Sequence, residues 1–163
     1  MCKWKENDGV ITFSVTTDGE SFKGWVVRLE RGGFRVGDRC RQLFLSTDIQ
    51  PTNGVTTQIS VLKGTSFDDD DRTTSVILAK AKKKNLVIPS IEVACLIREM
   101  FSDDELKEMG LWFMVVMHES VDVSDCPSKL AVDRSGSGRW IEACDISPSR
   151  SFGDRSGFAF AAS

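Results

Sequence analysis

The chain has 163 residues, 40% of them hydrophobic and 28% charged, with a formal net charge of -3 at pH 7. That composition excludes a disordered chain and predicts one globular domain over residues 1–163, with the polar residues 1–9 as a flexible tail. A chain of this size buries roughly two-thirds of its unfolded surface, so it needs neither disulfides nor a metal to fold. A slightly acidic balance argues against nucleic acid and anionic membranes as partners, because both select basic surfaces.

The five cysteines, Cys2, Cys40, Cys95, Cys126 and Cys144, are odd in number and contain no Cys-x-x-Cys pair. They predict reduced thiols rather than a disulfide framework or a zinc knuckle. No basic and apolar leader opens the sequence. The longest apolar run, residues 111–117, falls far short of the roughly 20 residues of a membrane span. The expected location is therefore the cytoplasm.

Residues 10–16 alternate Ile11, Phe13 and Val15 with polar neighbours, which predicts a strand with one apolar face. Thr17 and Glu20 have the spacing of a capping box, and Phe22, Trp25, Val26 and Leu29 then repeat at helical spacing up to Gly32-Gly33. A second helix is predicted with Val36, Cys40, Leu43 and Phe44 inward, ending before Pro51. The Asn53-Gly54 turn leads into a strand in which Val55, Thr57, Ile59 and Val61 alternate with polar residues. Residues 68–71, all aspartate, predict the start of a helix running to about Asn85, with Lys82-Lys83-Lys84 at its end. Acid first and base last both oppose the helix dipole.

Pro89-Ser90 predicts the start of a helix carrying Val93, Leu96, Ile97, Met100 and Phe101. Ser102 and Glu105 form a second capping box, for a short helix ended by Gly110. Residues 111–117 are apolar throughout, which predicts a central strand buried on both faces. Residues 130–133 and 140–144 flank a Gly/Ser-rich turn and predict a hairpin, and residues 157–162 a final strand. Helices early and strands clustered late give the fold class: α+β, a mixed or antiparallel sheet with helices packed on it.

Three groups of residues could carry function. His118, the only histidine, ends the predicted central strand and is followed by Glu119 and Asp122. A general base or ligand contact is one use of such a residue. The string resembles a zincin motif superficially, but that motif needs a helix to bring residues four apart onto one face, and here a strand precedes it. The second group is Arg28, Arg31, Arg35, Arg39 and Arg41, interleaved with Trp25, Phe34 and Phe44, a pattern that suits phosphate forks and base stacking. The third group, Arg139, Trp140, Arg150, Phe152 and Arg155, suits a ligand rim or a protein interface. The acidic run at residues 68–71 lacks the glycine and the terminal acid of an EF-hand loop, and no metal site is predicted. No phosphate loop, nucleophile elbow or dinucleotide fingerprint occurs, and no cofactor is indicated.

Several short segments carry a resemblance. They are Gly54-Val55 with Val61-Leu62-Lys63-Gly64, the run from Glu92 to Glu99, Gly110-Leu111-Trp112 leading to Met117-His118-Glu119, Gly138-Arg139-Trp140, and Gly157-Phe158-Ala159-Phe160. Together they resemble small bacterial hypothetical proteins of the kind carried on mobile DNA such as integron gene cassettes. The resemblance implies a bacterial cytosolic origin and assigns no activity or site residue. The reading expected is a non-enzymatic binding or interaction module, as a homo-oligomer or with another protein. The alternatives are a small-molecule binder or enzyme at the His118–Glu119 strand end, and a nucleic-acid binder through the 28–41 segment.

Overall fold

The computed structural model describes residues 2–163. In chain order the elements are β1 (Lys5–Asn7), β2 (Val10–Asp18), α1 (Phe22–Arg31), β3 (Arg35–Val36), α2 (Asp38–Ser46), β4 (Asn53–Lys63), α3 (Thr74–Lys83), β5 (Leu86–Val87), α4 (Glu92–Met100), α5 (Asp103–Glu108), β6 (Phe113–Val116), β7 (Val121–Val123), β8 (Cys126–Asp133), β9 (Trp140–Asp145) and β10 (Ser156–Ala162). The strands form one mixed sheet in the order β1-β2-β4-β10-β6-β8-β9-β3, with β5 added to β10 and β7 to β8. The fold class is α+β, with the carboxyl-terminal strands clustered in one half of the sheet.

Strand β6 occupies the middle because its side chains are apolar on both faces. It runs parallel to β10 and antiparallel to β8. Met114 and Val116 point to a core shared with Trp25, Leu29, Leu43, Ile97 and Phe101 from the α1, α2 and α4 side. Val115 and Met117 point to a second core, with Ile77 and Ala81 of α3, Phe67 and Phe152. The sheet is thus the middle of three layers. The predicted hairpin is β8–β9, which pair from Ser128↔Asp145 to Asp133↔Trp140.

Three expectations are corrected. The amino-terminal residues described are not a tail: β1 pairs with β2 across an Asp8-Gly9 turn, and Trp4 stacks edge-on against Phe101, centroids 5.8 Å apart. The cap of α1 is Ser21, whose hydroxyl accepts from Gly24 N at 3.0 Å. Thr17 is drawn away because its hydroxyl accepts from Val55 N and from the Thr52 hydroxyl, both 3.0 Å. The aspartates at 69–71 form a separate single 3₁₀ turn, and α3 begins only at Thr74. Their charge lies outside the helix whose dipole it was expected to oppose.

The Ser102–Glu105 capping box is present, with both reciprocal bonds formed at 3.2 and 3.0 Å. It starts α5 one turn after α4 ends, and Arg98 fixes that junction. Arg98 is fully buried. Its Nη1 donates to the carbonyls of Trp140 (3.1 Å) and Asp133 (3.4 Å), its Nη2 to the Phe101 carbonyl (2.8 Å) and to Asp103 Oδ1 (3.2 Å). The guanidinium also lies 4.8 Å from the Phe34 ring centroid. One side chain therefore satisfies the end of α4, the start of α5 and the mouth of the β8–β9 hairpin. Replacing it strands buried carbonyls and one carboxylate. Arg98→Met is expected to cost about 3 kcal/mol or more, read as a lower urea midpoint with an unchanged denaturant slope. A loss below about 1 kcal/mol would remove Arg98 from this role.

Candidate interaction surface

The His118 end of β6 is a structural device. The ring is 1% exposed. Nε2 accepts from Leu130 N at 2.9 Å, and Nδ1 lies 2.7 Å from the Glu119 carbonyl. An amide can only donate and a carbonyl only accept, so the neutral Nδ1-protonated tautomer satisfies both. No ring nitrogen is left to take a substrate's proton. Burial, opposed by the Glu119 hydrogen bond and helped by the Lys129 charge, pushes the imidazole down to about 4. Glu119 and Asp122 are exposed in the loop and on β7, and neither forms a cluster with His118. Among the described residues no group of three or more His, Cys, Asp or Glu side chains is placed to hold a metal ion.

Sequence patterning did not anticipate Lys129, which is 4% exposed and whose Nζ donates to the His118 carbonyl. Burial drives its amine down to about 8, against the pull of Cys144 and Glu119. The signal was weak: Lys129 only precedes the apolar run of residues 130–132.

The five arginines of the 28–41 segment do not form one basic stripe. Arg28 lies 4.3 Å over the Trp25 ring and is held by Glu99 and Asp18, all three hydrogen bonds 2.6 Å long. These contacts push its guanidinium above the ordinary arginine range. Arg41 pairs with Glu30 at 2.8 Å. Arg39 turns inward, where its Nη2 donates to the Ser128 hydroxyl at 2.8 Å. Only Arg31 and Arg35 stay exposed without a carboxylate partner among the described residues. Trp25 and Phe44 are core, as their helical spacing required.

The carboxyl-terminal group is also divided. Phe152 is buried, with its ring 5.3 Å from that of Phe158, so it is core rather than rim. Arg150 covers that ring at 5.1 Å and donates to the Asp145 carbonyl at 3.1 Å. Arg155 is exposed, and its carbonyl accepts from Trp112 N at 2.8 Å. Trp112, which the patterning placed inside the central strand, stands 41% exposed beneath Arg134, whose guanidinium lies 3.9 Å from the ring centroid.

What the fold brings together is one residue pair from each distant segment. Strand β3 runs parallel to β9, with Arg35 beside Trp140. Arg35 N donates to the Arg139 carbonyl at 2.7 Å, and the Arg35 guanidinium lies 5.8 Å from the Trp140 ring centroid. Arg139 reaches back to the turn after α1: a Cβ on Gly33 would lie 3.5 Å from its Nη1. Trp140 is half-buried, with its indole N–H donating to the Ser137 hydroxyl at 3.1 Å. The corner thus combines Arg35, Arg139 and Trp140 at the sheet's outer edge.

Asp103 sets its geometry. Oδ1 holds Arg98, and Oδ2 accepts from Arg139 N at 2.8 Å. Arg139 takes a left-handed backbone, φ 62°, directly after Gly138 at φ 76°. A Cβ on residue 138 would fall 2.4 Å from Asp103 Oδ2, so only glycine leaves room for the carboxylate. On the flank of the corner, burial raises the Glu142 carboxyl, helped by the charges of Asp133 and Asp38 and opposed by Arg39.

No family model matches the chain, no curated protein matches it, and no solved structure matches it. Among the described residues no helix is long and apolar enough to cross a membrane.

The buried pair at the β6 end gives a titration test. The folded imidazole binds its proton more weakly than the unfolded one, so stability is lost as pH falls from about 6.5 toward 4, by about 3 kcal/mol. The Lys129 amine is also depressed, so the unfolded chain holds the extra proton and stability rises by about 3 kcal/mol as pH climbs from about 8 to 10.5. Urea unfolding at a series of pH values should show the acid limb vanish in His118→Gln and the alkaline limb vanish in Lys129→Met. Limbs of the same size in both variants would show that these groups titrate normally.

Proposed function

We propose that this chain is a protein-interaction module, and that it receives an acidic segment of its partner at the Arg35–Arg139–Trp140 corner. The carrying observation is that the guanidinium groups of Arg35 and Arg139 have no carboxylate partner among the described residues, beside a half-exposed tryptophan. Most other arginines of a net-acidic chain are spent on internal contacts. Planar guanidinium groups donate two parallel bonds to a carboxylate, and Trp with Arg is the pairing favoured at interface centres. Asp133, Asp38 and Glu142 beside the corner repel an acidic partner there, which confines its approach to the outer rim of the sheet.

The same cations could meet phosphate, but three of the five arginines that would have tracked a nucleic-acid backbone are tied to Glu99, Asp18, Glu30 and Ser128. The small-molecule alternative loses its general base, because both ring nitrogens of His118 are engaged.

Titrating isotopically labelled protein with a glutamate-rich peptide should shift the Trp140 indole and the amides of Arg35 and Arg139 saturably. Arg35→Glu combined with Arg139→Glu should weaken binding by about tenfold or more. A peptide that leaves the corner unshifted would contradict the proposal. So would tighter binding of a single-stranded oligonucleotide at the same residues, with the steep salt dependence of phosphate contacts.

A further inference from the structure

The other end of the sheet ends on an unfinished strand. β1 pairs only with the first part of β2, Lys5↔Thr12, Glu6↔Ile11 and Asn7↔Val10, whereas β2 continues to Asp18. The direction of the leftover backbone groups follows from their neighbours. Gly9 O accepts from Lys63 N at 3.4 Å and Gly19 N donates to Thr52 O at 2.9 Å, both toward β4. Main-chain groups alternate along a strand, so odd residues of β2 bond β4 and even residues face outward. Val10 and Thr12 spend theirs on β1. Ser14, Thr16 and Asp18 present an N–H and a C=O each to an edge that no described strand covers.

Natural edges of this kind are normally closed by proline, inward charge or an added strand. Residues 13–18 contain no proline and no lysine. Beside the edge runs a cleft lined by Ser14, Thr16, Asp18, Arg28, Leu96 and Met100. Leu96 and Met100 are half-buried apolar side chains on the α4 flank. The charges along the edge are asymmetric. Lys3 is paired with Glu105 and Asp18 with Arg28, which leaves Lys5 at the end that β1 occupies and Glu20 at the open end.

We propose that the occupant of this edge is a second copy of the chain, which adds its own β2 antiparallel about a twofold axis through Thr16. In that register Thr16 faces Thr16 of the second copy and Ser14 faces Asp18, so all three outward residues find a donor and an acceptor. The antiparallel sense brings Lys5 of each copy toward Glu20 of the other. The twofold also places both helical layers on the same face of a continuous sheet, where Leu96 and Met100 meet their own counterparts. A register centred closer to Val10 is closed, because β1 already fills the edge there. This inference uses a different strand from the arginine corner and stands or falls separately.

The test is the solution mass together with two edge variants and a crosslink. Sedimentation at high micromolar concentration should give a mass of two chains. Thr16→Lys brings two cations together on the axis and Thr16→Pro removes a central donor; each should weaken the dimer about tenfold or more while the circular dichroism spectrum is kept. Hydrogen-bonded antiparallel residues have Cα atoms about 5.5 Å apart, within disulfide reach. In a Cys2→Ser background, oxidised Thr16→Cys should therefore crosslink to a covalent dimer, and Thr56→Cys, one strand further in, should not. A one-chain mass at every concentration would overturn the proposal. So would a dimer indifferent to both edge variants, or equal crosslinking at the two cysteine positions.

Discussion

A buried guanidinium is the constraint on which most of this structure hangs. Both Nη groups of Arg98 are paired, because an uncompensated charge costs several kcal/mol in an apolar core, while its buried Nε has no hydrogen-bond partner among the described residues. The Nη groups find their partners in the carbonyl of Phe101, which caps α4, the Asp103 carboxylate and two carbonyls at the mouth of β8–β9. The helix junction and the hairpin are therefore held at one fixed separation. Asp103 then extends the frame one residue outward, to the amide of Arg139. The arginine corner is in this sense the exposed end of a buried polar network.

Some of this was legible in the residues. The run Phe113-Met114-Val115-Val116 is apolar on both faces, which only a central strand can use, and it is central. The Ser102–Glu105 box is local chemistry and forms as its spacing required. The Thr17–Glu20 box failed because Thr17 and Ser21 are both competent caps. The choice fell to Val55 and Thr52, residues that no local reading places nearby. The acidic turn at 69–71 failed similarly, since where a helix starts was decided by packing of Thr74 and Ile77 rather than by charge.

The corner itself was half legible. Both contributing segments stood out for their arginine and aromatic content, but nothing local joins Arg35 to Trp140. A two-residue parallel pairing of β3 with β9 does so, across more than a hundred residues of chain. The same reasoning explains why Arg28, Arg39 and Arg41 looked free and are not: their carboxylate and hydroxyl partners come from other elements. His118 resembled a catalytic group until the Leu130 amide and the Glu119 carbonyl were placed on its two nitrogens. The sheet thus has two contrasting ends, a positively charged corner at β3–β9 and an unpaired backbone edge at β2. Each is a surface that recognition can use by a different chemistry.

The most direct test of the account is whether the buried network shapes the corner. Amide hydrogen exchange in wild type and in Asp103→Ala measures this residue by residue. The account predicts a large loss of protection confined to Arg139 and Arg35, whose amides close the corner, with the β2–β4 amides unchanged. Protection lost evenly over the whole sheet, or retained at Arg139, would contradict it, because the corner would then be held by something other than Asp103 and Arg98.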